Sequence, residues 1–206
     1  MGDLIIGILG LQGDVTEHIE KIDQTLELMN LNGKSFTIKN AEHIEKIDGL
    51  IITGGESTTI GKMADRNNLI TKIREKANAG LPMLCTCAGL ILMAKKVRDF
   101  VLGEVNQPIL GILDVEVIRN AFGRQKDSFE VDLSIPILGE QPFRGVFIRS
   151  PSISSVLNNN VKVLATFDNK IIAVKQENLL GFSFHPELTE DIRIHKLLID
   201  SVLARK

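Results

Sequence analysis

The sequence lacks a strong excess of charge of either sign. Its 206 residues include 24 Lys and Arg against 26 Asp and Glu, which gives a formal net charge of -2. Non-specific nucleic-acid binding and attachment to acidic membranes depend on clustered basic residues, so this balance argues against both. No apolar run approaches the roughly 18 residues that cross a bilayer, and the sequence therefore predicts no membrane span.

Cysteine is scarce. The chain has 2 cysteines, Cys85 and Cys87, with one threonine between them. A pair this close makes a poor disulfide framework, which favours a reducing, cytoplasmic location. The spacing fits neither a zinc site, which needs a second pair of ligands, nor the C-x-x-C of a thioredoxin-like redox centre.

Two glycine-rich segments resemble nucleotide-binding motifs without fulfilling them. The first, GILGLQG, places Gly7, Gly10 and Gly13 in the spacing G-x-x-G-x-x-G instead of G-x-G-x-x-G. The second, GGESTTIGK, has Glu56 where a phosphate-binding loop needs its first glycine, and Met63 where it needs Ser or Thr. We therefore expect neither a cofactor nor a bound metal.

Histidine is also rare, with 4 in the chain. His18, His43 and His195 fall in helical or turn-like polar segments, where we expect them to be solvated at the surface. His185 differs from these three because it follows an apolar strand, in the segment GFSFHPEL.

The first half of the chain alternates short apolar runs with helical patterns. Asp14, with Glu17 three residues later, is the candidate N-cap of the first helix. Apolar strands interleaved with helices predict an α/β fold, in which a mostly parallel sheet is covered by helices on both faces. The predicted strands span 4–9, 35–39, 49–53 and 83–86, and the predicted helices include 68–79 and 90–96.

The second half predicts additional short strands between residues 115 and 184, separated by turn signals, and an amphipathic helix from Ile192. No linker, repeat or low-complexity tract divides the chain, so we expect one domain spanning 1–206. In parallel sheets of this type, ligands bind beyond the carboxyl ends of the strands.

The segment LCTCAGL is typical of a nucleophile held on a sharp turn between a strand and a helix. Cys87 occupies the tip of the turn, and the strained backbone there needs small neighbours, which Ala88 and Gly89 supply. The helix that follows favours the thiolate, and the amide of Ala88 can stabilise an oxyanion. Cys85 is expected to be buried and inert. On this segment alone, two unreactive core cysteines are an equally good interpretation.

Two further strand ends complete the pattern. His185 can act as the base that a thiol needs, and Glu187, two residues later, can accept from the other ring nitrogen and orient it. The pair Gly54-Gly55 follows the strand GLIIT, where backbone amides can face a substrate closely and form the second arm of an oxyanion hole. Three such features at three strand ends favour a shared catalytic site over coincidence.

Six segments follow one another along the chain: LGLQGD, GGESTT, TCAGLI, RNAFGRQ, GVFIRSP and SFHPELTED. In this order they resemble the class I (triad) glutamine amidotransferases, and within them the glutaminase subunits of pyridoxal 5′-phosphate synthase. The resemblance spans nearly the whole chain and implies a three-layer, flavodoxin-like single-domain fold with extra short antiparallel strands. It also implies hydrolysis of L-glutamine to L-glutamate and ammonia, which passes to a (β/α)8-barrel synthase in a heteromeric, cytoplasmic complex.

The resemblance assigns roles to single residues. Cys87 would form a glutamyl thioester, His185 would be the general base and then acid, and Glu187 would orient it. Amides of Gly55 and Ala88 would form the oxyanion hole. We add that an arginine can pair with the α-carboxylate of glutamine and a glutamate with its α-ammonium group. The implied glutamine-binding residues are Gly55, Glu56, Ser57, Arg119, Ile148 and Arg149.

Two alternatives remain open from the sequence. One is a binding or regulatory subunit that carries the triad but is catalytically silent, and the other is an amidotransferase or cysteine hydrolase that serves a different acceptor. The chain departs from the family pattern at Cys85 and Thr53, where Gly and Pro are usual, and at Ser150 and Ser152, where Ala and His are common. Cys85 is the best support for the silent subunit.

Overall fold

The computed structural model describes residues 3–122 and 128–206. The end of the segment RNAFGRQ, residues 123–125, therefore lies outside the described residues. In chain order the helices and strands are β1 (Leu4–Leu9), α1 (Val15–Leu28), β2 (Gly33–Ile38), β3 (Gly49–Ile52), α2 (Ser57–Arg66), α3 (Leu69–Asn78), β4 (Met83–Thr86), α4 (Ala88–Met93), β5 (Ala94–Asp99), β6 (Gly103–Glu104), β7 (Leu113–Arg119), β8 (Ser128–Leu133), β9 (Phe143–Ile148), β10 (Ser152–Val156), β11 (Val161–Phe167), β12 (Lys170–Gln176), β13 (Leu179–Phe182) and α5 (Arg193–Arg205).

The main sheet has a parallel half and a largely antiparallel half. Strands β2, β1, β3, β4 and β13 lie side by side and are all parallel. The sheet continues through β12, β10, β7, β5 and β6, where only the pair β5–β7 is parallel. The carboxyl ends of the five parallel strands meet at one edge, and this edge positions the candidate site.

Both faces of the parallel half are buried, because consecutive side chains in a strand point to opposite faces. In β4, Met83 and Cys85 belong to the core under α2, α3 and α4, whereas Leu84 belongs to the core under α1 and α5. Full burial of a side chain such as Leu84 contributes about 1.5–3 kcal/mol, so this alternation fixes which face each strand residue takes. Thr86, two residues after Leu84, therefore faces α1 and α5.

The hairpin of β8 and β9 forms a separate two-stranded sheet held by phenylalanines. Phe129 and Phe147 stack with ring centroids 4.6 Å apart, and Phe147 also contacts Phe184 at 5.4 Å. Phe184 immediately precedes His185, and Phe147 lies one residue before Ile148 at the end of β9. The aromatic cluster therefore holds the end of β9 against the chain that carries His185.

The α/β fold predicted from the sequence is confirmed. Several elements differ from the prediction: α2, β5, β6 and β10 were not predicted, and the helix predicted over 90–96 ends at Met93. The chain turns to extended backbone at Ala94, and β5 pairs with β7 on one side and β6 on the other. Within the described residues, no helix is long and apolar enough to cross a membrane.

Candidate active site

A cleft of about 500 Å³ opens where the loops after β1, β3, β4 and β13 meet. Every site residue predicted from the sequence lines this cleft except Glu187, which lies buried behind it. A second cleft of about 540 Å³ has no Cys, Ser, Thr or His among its described lining residues, so it offers no nucleophile or base of these types. The first cleft is lined by Gln12, Asp14, Gly55, Glu56, Ser57, Cys87, Ala88, Ile91, Arg119, Asn120, Ile148, Arg149 and His185.

Cys87 occupies a strained turn between β4 and α4. Its φ of 46° and ψ of -105° lie in a region that side-chain-bearing residues rarely adopt. Its backbone N–H donates to the carbonyl of Phe182 at 2.9 Å, which ties the turn to β13. A Cβ on Gly89 would lie 2.1 Å from the carbonyl oxygen of Ile52, so the helix can approach β3 only with glycine there. The sulfur is thereby held at the cleft.

Cys85 lies in the core, whereas Cys87 lines the cleft. The side chain of Cys85 is fully buried in the core under α2, α3 and α4. Both cysteines are free thiols. The sulfur of Cys85 therefore fills core space and leaves the cleft to Cys87.

His185 connects the cleft to the buried interior. Its backbone N–H donates to the carbonyl of Val146 at 2.8 Å, which anchors it to β9. Ring atom Nδ1 lies 2.8 Å from Oε1 of Glu187 and 3.3 Å from Oδ2 of Asp14. The ring and the side chain of Cys87 line the same cleft, and their interaction acts to raise the pKa of the ring. One imidazole therefore joins a thiol to two carboxylates.

These contacts shift the pKa of His185. Burial acts to lower it, but the interactions with Asp14, Cys87 and Glu187 outweigh burial and raise the pKa to about 12. The imidazolium form is therefore favoured while the sulfur and both carboxylates face the ring. A cationic imidazole next to a thiol is the environment in which cysteine acts as a nucleophile.

Glu187 is almost fully buried, in a short turn at Pro186–Leu188. Burial raises its pKa, and the hydrogen bond with His185 opposes that shift. Its second oxygen, Oε2, makes no hydrogen bond within the described residues that meets strict geometry, and it faces Nε2 of His18 at 3.4 Å.

Asp14 has a different role from the one we expected. It occupies the N-cap position of α1, but its side chain makes no capping hydrogen bond. The carboxylate turns instead towards His185, whose hydrogen bond holds the pKa of Asp14 below its usual value. A charge-assisted hydrogen bond to an imidazolium is stronger than one to a backbone amide, and this explains why the carboxylate of Asp14 contacts His185 instead of capping α1. The capping pattern in the sequence concealed this contact.

The prediction that His18 and His195 are solvated at the surface is wrong. Both are fully buried, and Nδ1 of His18 lies 3.0 Å from Nε2 of His195. Burial lowers the pKa of His18 well below its usual value and that of His195 to about 3, so both rings are neutral. His43, in contrast, is half-buried and packs against Phe36. Polar residues surround His18 in the sequence, so the hydrophobic pattern did not indicate that it lies on the buried face of α1.

The glycine pair after β3 approaches His185 very closely. A Cβ on Gly54 would lie 2.5 Å from Cε1 of the ring. The carbonyl of Gly54 accepts from the Thr53 hydroxyl at 3.1 Å, and a Cβ on Gly13 would lie 2.0 Å from the same oxygen. Because C=O and N–H of a trans peptide point in opposite directions, the N–H of Gly55 points away from Gly13. The unusual Thr53 thus helps to set the orientation of this peptide.

Glu56 and Arg119 contact each other. Glu56 accepts from the backbone N–H groups of Thr58 and Thr59, which caps α2, and lies 3.4 Å from Arg119. Arg119 also donates to Gln107 at 2.9 Å. We expected a glutamate and an arginine to bind the two ends of a glutamine, but this pair is already engaged, and either residue would have to exchange partners to do so.

Arg149 is the more available cation. It is exposed in the cleft, and no ion pair to it occurs among the described residues. Its φ of 43° is left-handed, and the preceding N–H of Ile148 donates to the Ser150 hydroxyl at 3.1 Å. Ser150 thereby supports the strained turn that presents this guanidinium to the cleft.

Asp14, His185 and Glu187 form a cluster whose ligand atoms lie within 4.8 Å of one another, a spacing that a metal ion could bridge. In this arrangement, however, Nδ1 of His185 lies between the two carboxylates. A proton on Nδ1 would therefore lie where a metal ion that bridges the two carboxylates would bind.

Comparison with known proteins places this geometry in context. The sequence matches the SNO glutamine amidotransferase family over residues 8–204. A pyridoxal 5′-phosphate synthase subunit PdxT from Nitrosopumilus maritimus is 42% identical over 98% of each chain. The PdxT of Moorella thermoacetica is 49% identical over 96% of this chain and 98% of its own.

Solved structures agree with these relatives. A crystal structure of a glutamine amidotransferase superposes with a TM-score of 0.82 at 40% identity, covering 96% of this chain and 98% of the other. A glutamine amidotransferase from Thermotoga maritima has a TM-score of 0.61 at 13% identity, covering 100% of this chain and 84% of its own, which shows the shared fold alone.

Proposed function

The chain belongs to the SNO glutamine amidotransferase family, and from this premise we propose that it hydrolyses L-glutamine to L-glutamate and ammonia as the glutaminase subunit of a pyridoxal 5′-phosphate synthase. The observation that carries the proposal is the His185 ring, which joins Cys87 in the cleft to the buried Glu187. Thiol, imidazole and carboxylate in this order are the parts that nucleophilic acyl transfer needs.

The first half-reaction forms a thioester. The sulfur of Cys87 attacks the side-chain amide carbon of glutamine, and the carbonyl oxygen becomes an oxyanion. Amides of Gly55 and Ala88, both at the cleft, are assigned to that oxyanion. The tetrahedral intermediate collapses, the C–N bond breaks, and His185 gives its proton to the departing ammonia. The products of this step are ammonia and a glutamyl thioester on Cys87.

The second half-reaction hydrolyses the thioester. Acylation removes the interaction with the sulfur that helps to raise the pKa of His185, so the pKa of the ring falls. Having given its proton to ammonia, the ring can therefore stay neutral and is available as the base for this stage. It takes a proton from water as the water attacks the thioester carbon, and the C–S bond breaks to release glutamate. The proton returns to the Cys87–His185 pair, which completes the cycle.

The glutamine itself needs groups for its two charged ends. Arg149 is suited to its α-carboxylate, because it is exposed in the cleft and unpaired among the described residues. Gly55, Glu56, Ser57, Arg119 and Ile148 line the same cleft and are assigned to the rest of the substrate.

The partner is the remaining part of the synthase, for which we propose a (β/α)8-barrel subunit that receives the ammonia. The PdxT relatives are themselves named as subunits of that enzyme. Nothing in the cleft favours the silent-subunit alternative. Cys85, its best support in the sequence, points into the core on the face away from α1, and Cys87 reaches the cleft.

The test is glutamate production from glutamine, with and without the synthase subunit. We expect Cys87→Ala to lose activity by about 10⁴-fold or more, because the nucleophile is gone. The matched control is Cys85→Ala, which removes a thiol two residues away and should keep kcat within about 3-fold. Full activity of Cys87→Ala, or no activity of the wild type with its synthase, would refute the proposal.

A further inference from the structure

Behind Glu187, two histidines that the hydrolytic chemistry does not use continue the polar network into the interior. We propose that His18 is a positioning residue that fixes the carboxylate of Glu187 and, through it, the ring of His185. This inference rests on the proposed glutaminase function and adds a fourth side chain to its machinery, one that touches neither substrate nor sulfur.

His18 lies beside the second carboxylate oxygen of Glu187. Oε1 of Glu187 is engaged with His185 at 2.8 Å, and Oε2 faces Nε2 of His18 at 3.4 Å. No other described group satisfies Oε2, which is fully buried. A buried carboxylate oxygen with no donor costs about 1–3 kcal/mol or more, so a donor at this position has a large influence on where the carboxylate sits.

His18 also contacts the strand that carries the nucleophile. Its Nε2 lies 3.3 Å from the hydroxyl of Thr86, the last residue of β4, and Cys87 follows directly. One ring thus touches both the residue before the nucleophile and the residue that orients the base. Without this ring, the turn that carries Cys87 and the turn that carries Glu187 would be held less firmly relative to each other.

The hydrogens can be assigned from the donors and acceptors that each group offers. An ionised Glu187 can only accept, so Nε2 of His18 carries its hydrogen and Nδ1 is left as an acceptor. Nε2 of His195, 3.0 Å from that Nδ1, must then be the donor. The donors therefore point in one direction: His195 donates to His18, and His18 directs its Nε2 hydrogen towards Oε2 of Glu187 and the Thr86 hydroxyl. His185 donates to Glu187 from the other side.

Few charged groups face this network. Lys21 on α1 is buried and pairs at 3.6 Å with Glu190, which is fully exposed beyond the 186–188 turn. The positive charge of Lys21 also helps to lower the pKa of His195. Asp14 contacts His185 on the cleft side. His18 and His195 are themselves neutral, as their lowered pKa values require. A neutral donor is what a positioning role needs, because a second cation would compete with His185 for the charge of Glu187.

A purely structural role would give a different pattern of substitution effects. If His18 only filled space on the apolar face of α1, leucine would replace it well, since Ile22 and Leu26 lie on the same buried face. If its N–H positions Glu187, glutamine should replace it better than leucine, because an amide nitrogen at the end of glutamine reaches roughly the place of Nε2.

The experiment compares His18→Leu and His18→Gln with wild type in complex with the synthase subunit. We expect His18→Leu to lower kcat by about 10- to 100-fold with KM changed less than about 3-fold, because a misplaced base slows the chemistry more than it weakens binding. His18→Gln should stay within about 5-fold of the wild-type kcat. The matched control is His43→Leu, the same change at a half-buried histidine outside the site, and it should leave kcat unaltered.

A second readout does not depend on glutamine. Alkylation of Cys87 by iodoacetamide, followed from about pH 5 to about pH 9 with Cys87→Ala as the blank, reports how well the imidazolium supports the sulfur. We expect His18→Leu to slow alkylation on the acid side of this range by about 5-fold or more and His18→Gln to follow wild type. Circular dichroism and thermal unfolding confirm that each variant is folded.

The outcomes separate this inference from the proposed function. A folded His18→Leu with wild-type kcat and alkylation profile overturns the positioning role. If His18→Leu does not fold, His18→Asn, whose shorter amide cannot reach Glu187, replaces it, and equal kcat values for the Asn and Gln variants overturn the role. If wild type makes no glutamate, the proposed function fails, and the alkylation profiles alone decide on His18.

Discussion

The two sides of the His185 ring are built differently. On the cleft side lie Cys87 and the exposed Gly55 and Arg149, groups that can exchange water for substrate. On the interior side lie Glu187 and His18, which are at most 2% exposed. The cleft side must change its partners during each reaction cycle, and the interior side must keep them.

This difference has an energetic cause. A polar group at the cleft that loses its partner can bond to water, so its loss costs little stability. A polar group in the interior can be satisfied only by its neighbours, and each one that loses a partner costs about 1–3 kcal/mol. Substitutions on the cleft side should therefore affect activity alone, whereas those on the interior side should affect both activity and stability.

The strongest test of the interior side is Glu187→Gln. We expect kcat to fall by about 10²- to 10⁴-fold, because a neutral amide neither fixes the tautomer of His185 nor stabilises its cation. The free energy of unfolding should also fall, by about 1–3 kcal/mol, because the buried hydrogen bonds are rearranged. Steady-state glutaminase kinetics and urea unfolding measure the two effects. The control is Glu190→Gln, whose side chain is fully exposed. A kcat within about 3-fold of wild type would show that Glu187 does not orient the base.

A smaller effect is expected at the boundary between the two sides. Asp14 contacts the same ring nitrogen as Glu187, but at 3.3 Å and with a side chain that is 36% exposed. Asp14→Asn should lower kcat by about 3- to 10-fold and leave the unfolding midpoint almost unchanged, because water can replace the lost contact. Asp65→Asn, an exposed acid on α2, is the matched control. A loss as large as that of Glu187→Gln would mean that the cleft-side carboxylate orients the ring.

The sequence could predict the cleft side far better than the interior side. Cys87 and His185 stand at the ends of apolar strands, and parallel strands deliver their carboxyl ends to one edge. His18 lies in a helix whose buried face also carries Lys21 and Thr25, so its hydrophobic pattern does not separate a buried histidine from a surface one. Only packing against α5 shows that this ring is enclosed.

The fold shows the same division. Continuous apolar runs made β1, β3 and β4 easy to predict, because a strand that is buried on both faces consists almost entirely of apolar residues. Strand β10, with the sequence SISSV, was missed because its polar residues resemble a loop until β7 and β12 pair with it. The role of Asp14 was missed for a related reason, since its capping position is local and its contact with His185 joins residues distant in the chain.

The finest test uses the pH dependence of stability, because the histidines on the two sides of Glu187 respond with opposite sign. The raised pKa of His185, about 12, gives stability that is complete below the unfolded value near 6.5 and is lost as pH rises towards 12. The lowered pKa of His195, about 3, means that the unfolded chain takes up a proton that the folded chain refuses, so stability is lost as pH falls from about 6.5 towards 3.

A His195→Gln variant should therefore remove part of the acid sensitivity. Below about pH 6, wild type should lose up to about 1.4 kcal/mol more per pH unit than the variant, whatever their difference at neutral pH. Urea unfolding of both proteins at several pH values between about 7 and 5 gives the two slopes directly. Parallel slopes would show that His195 takes up its proton in the folded state. The interior side would then hold a cationic His195, and the neutral pair of histidines described above would be refuted.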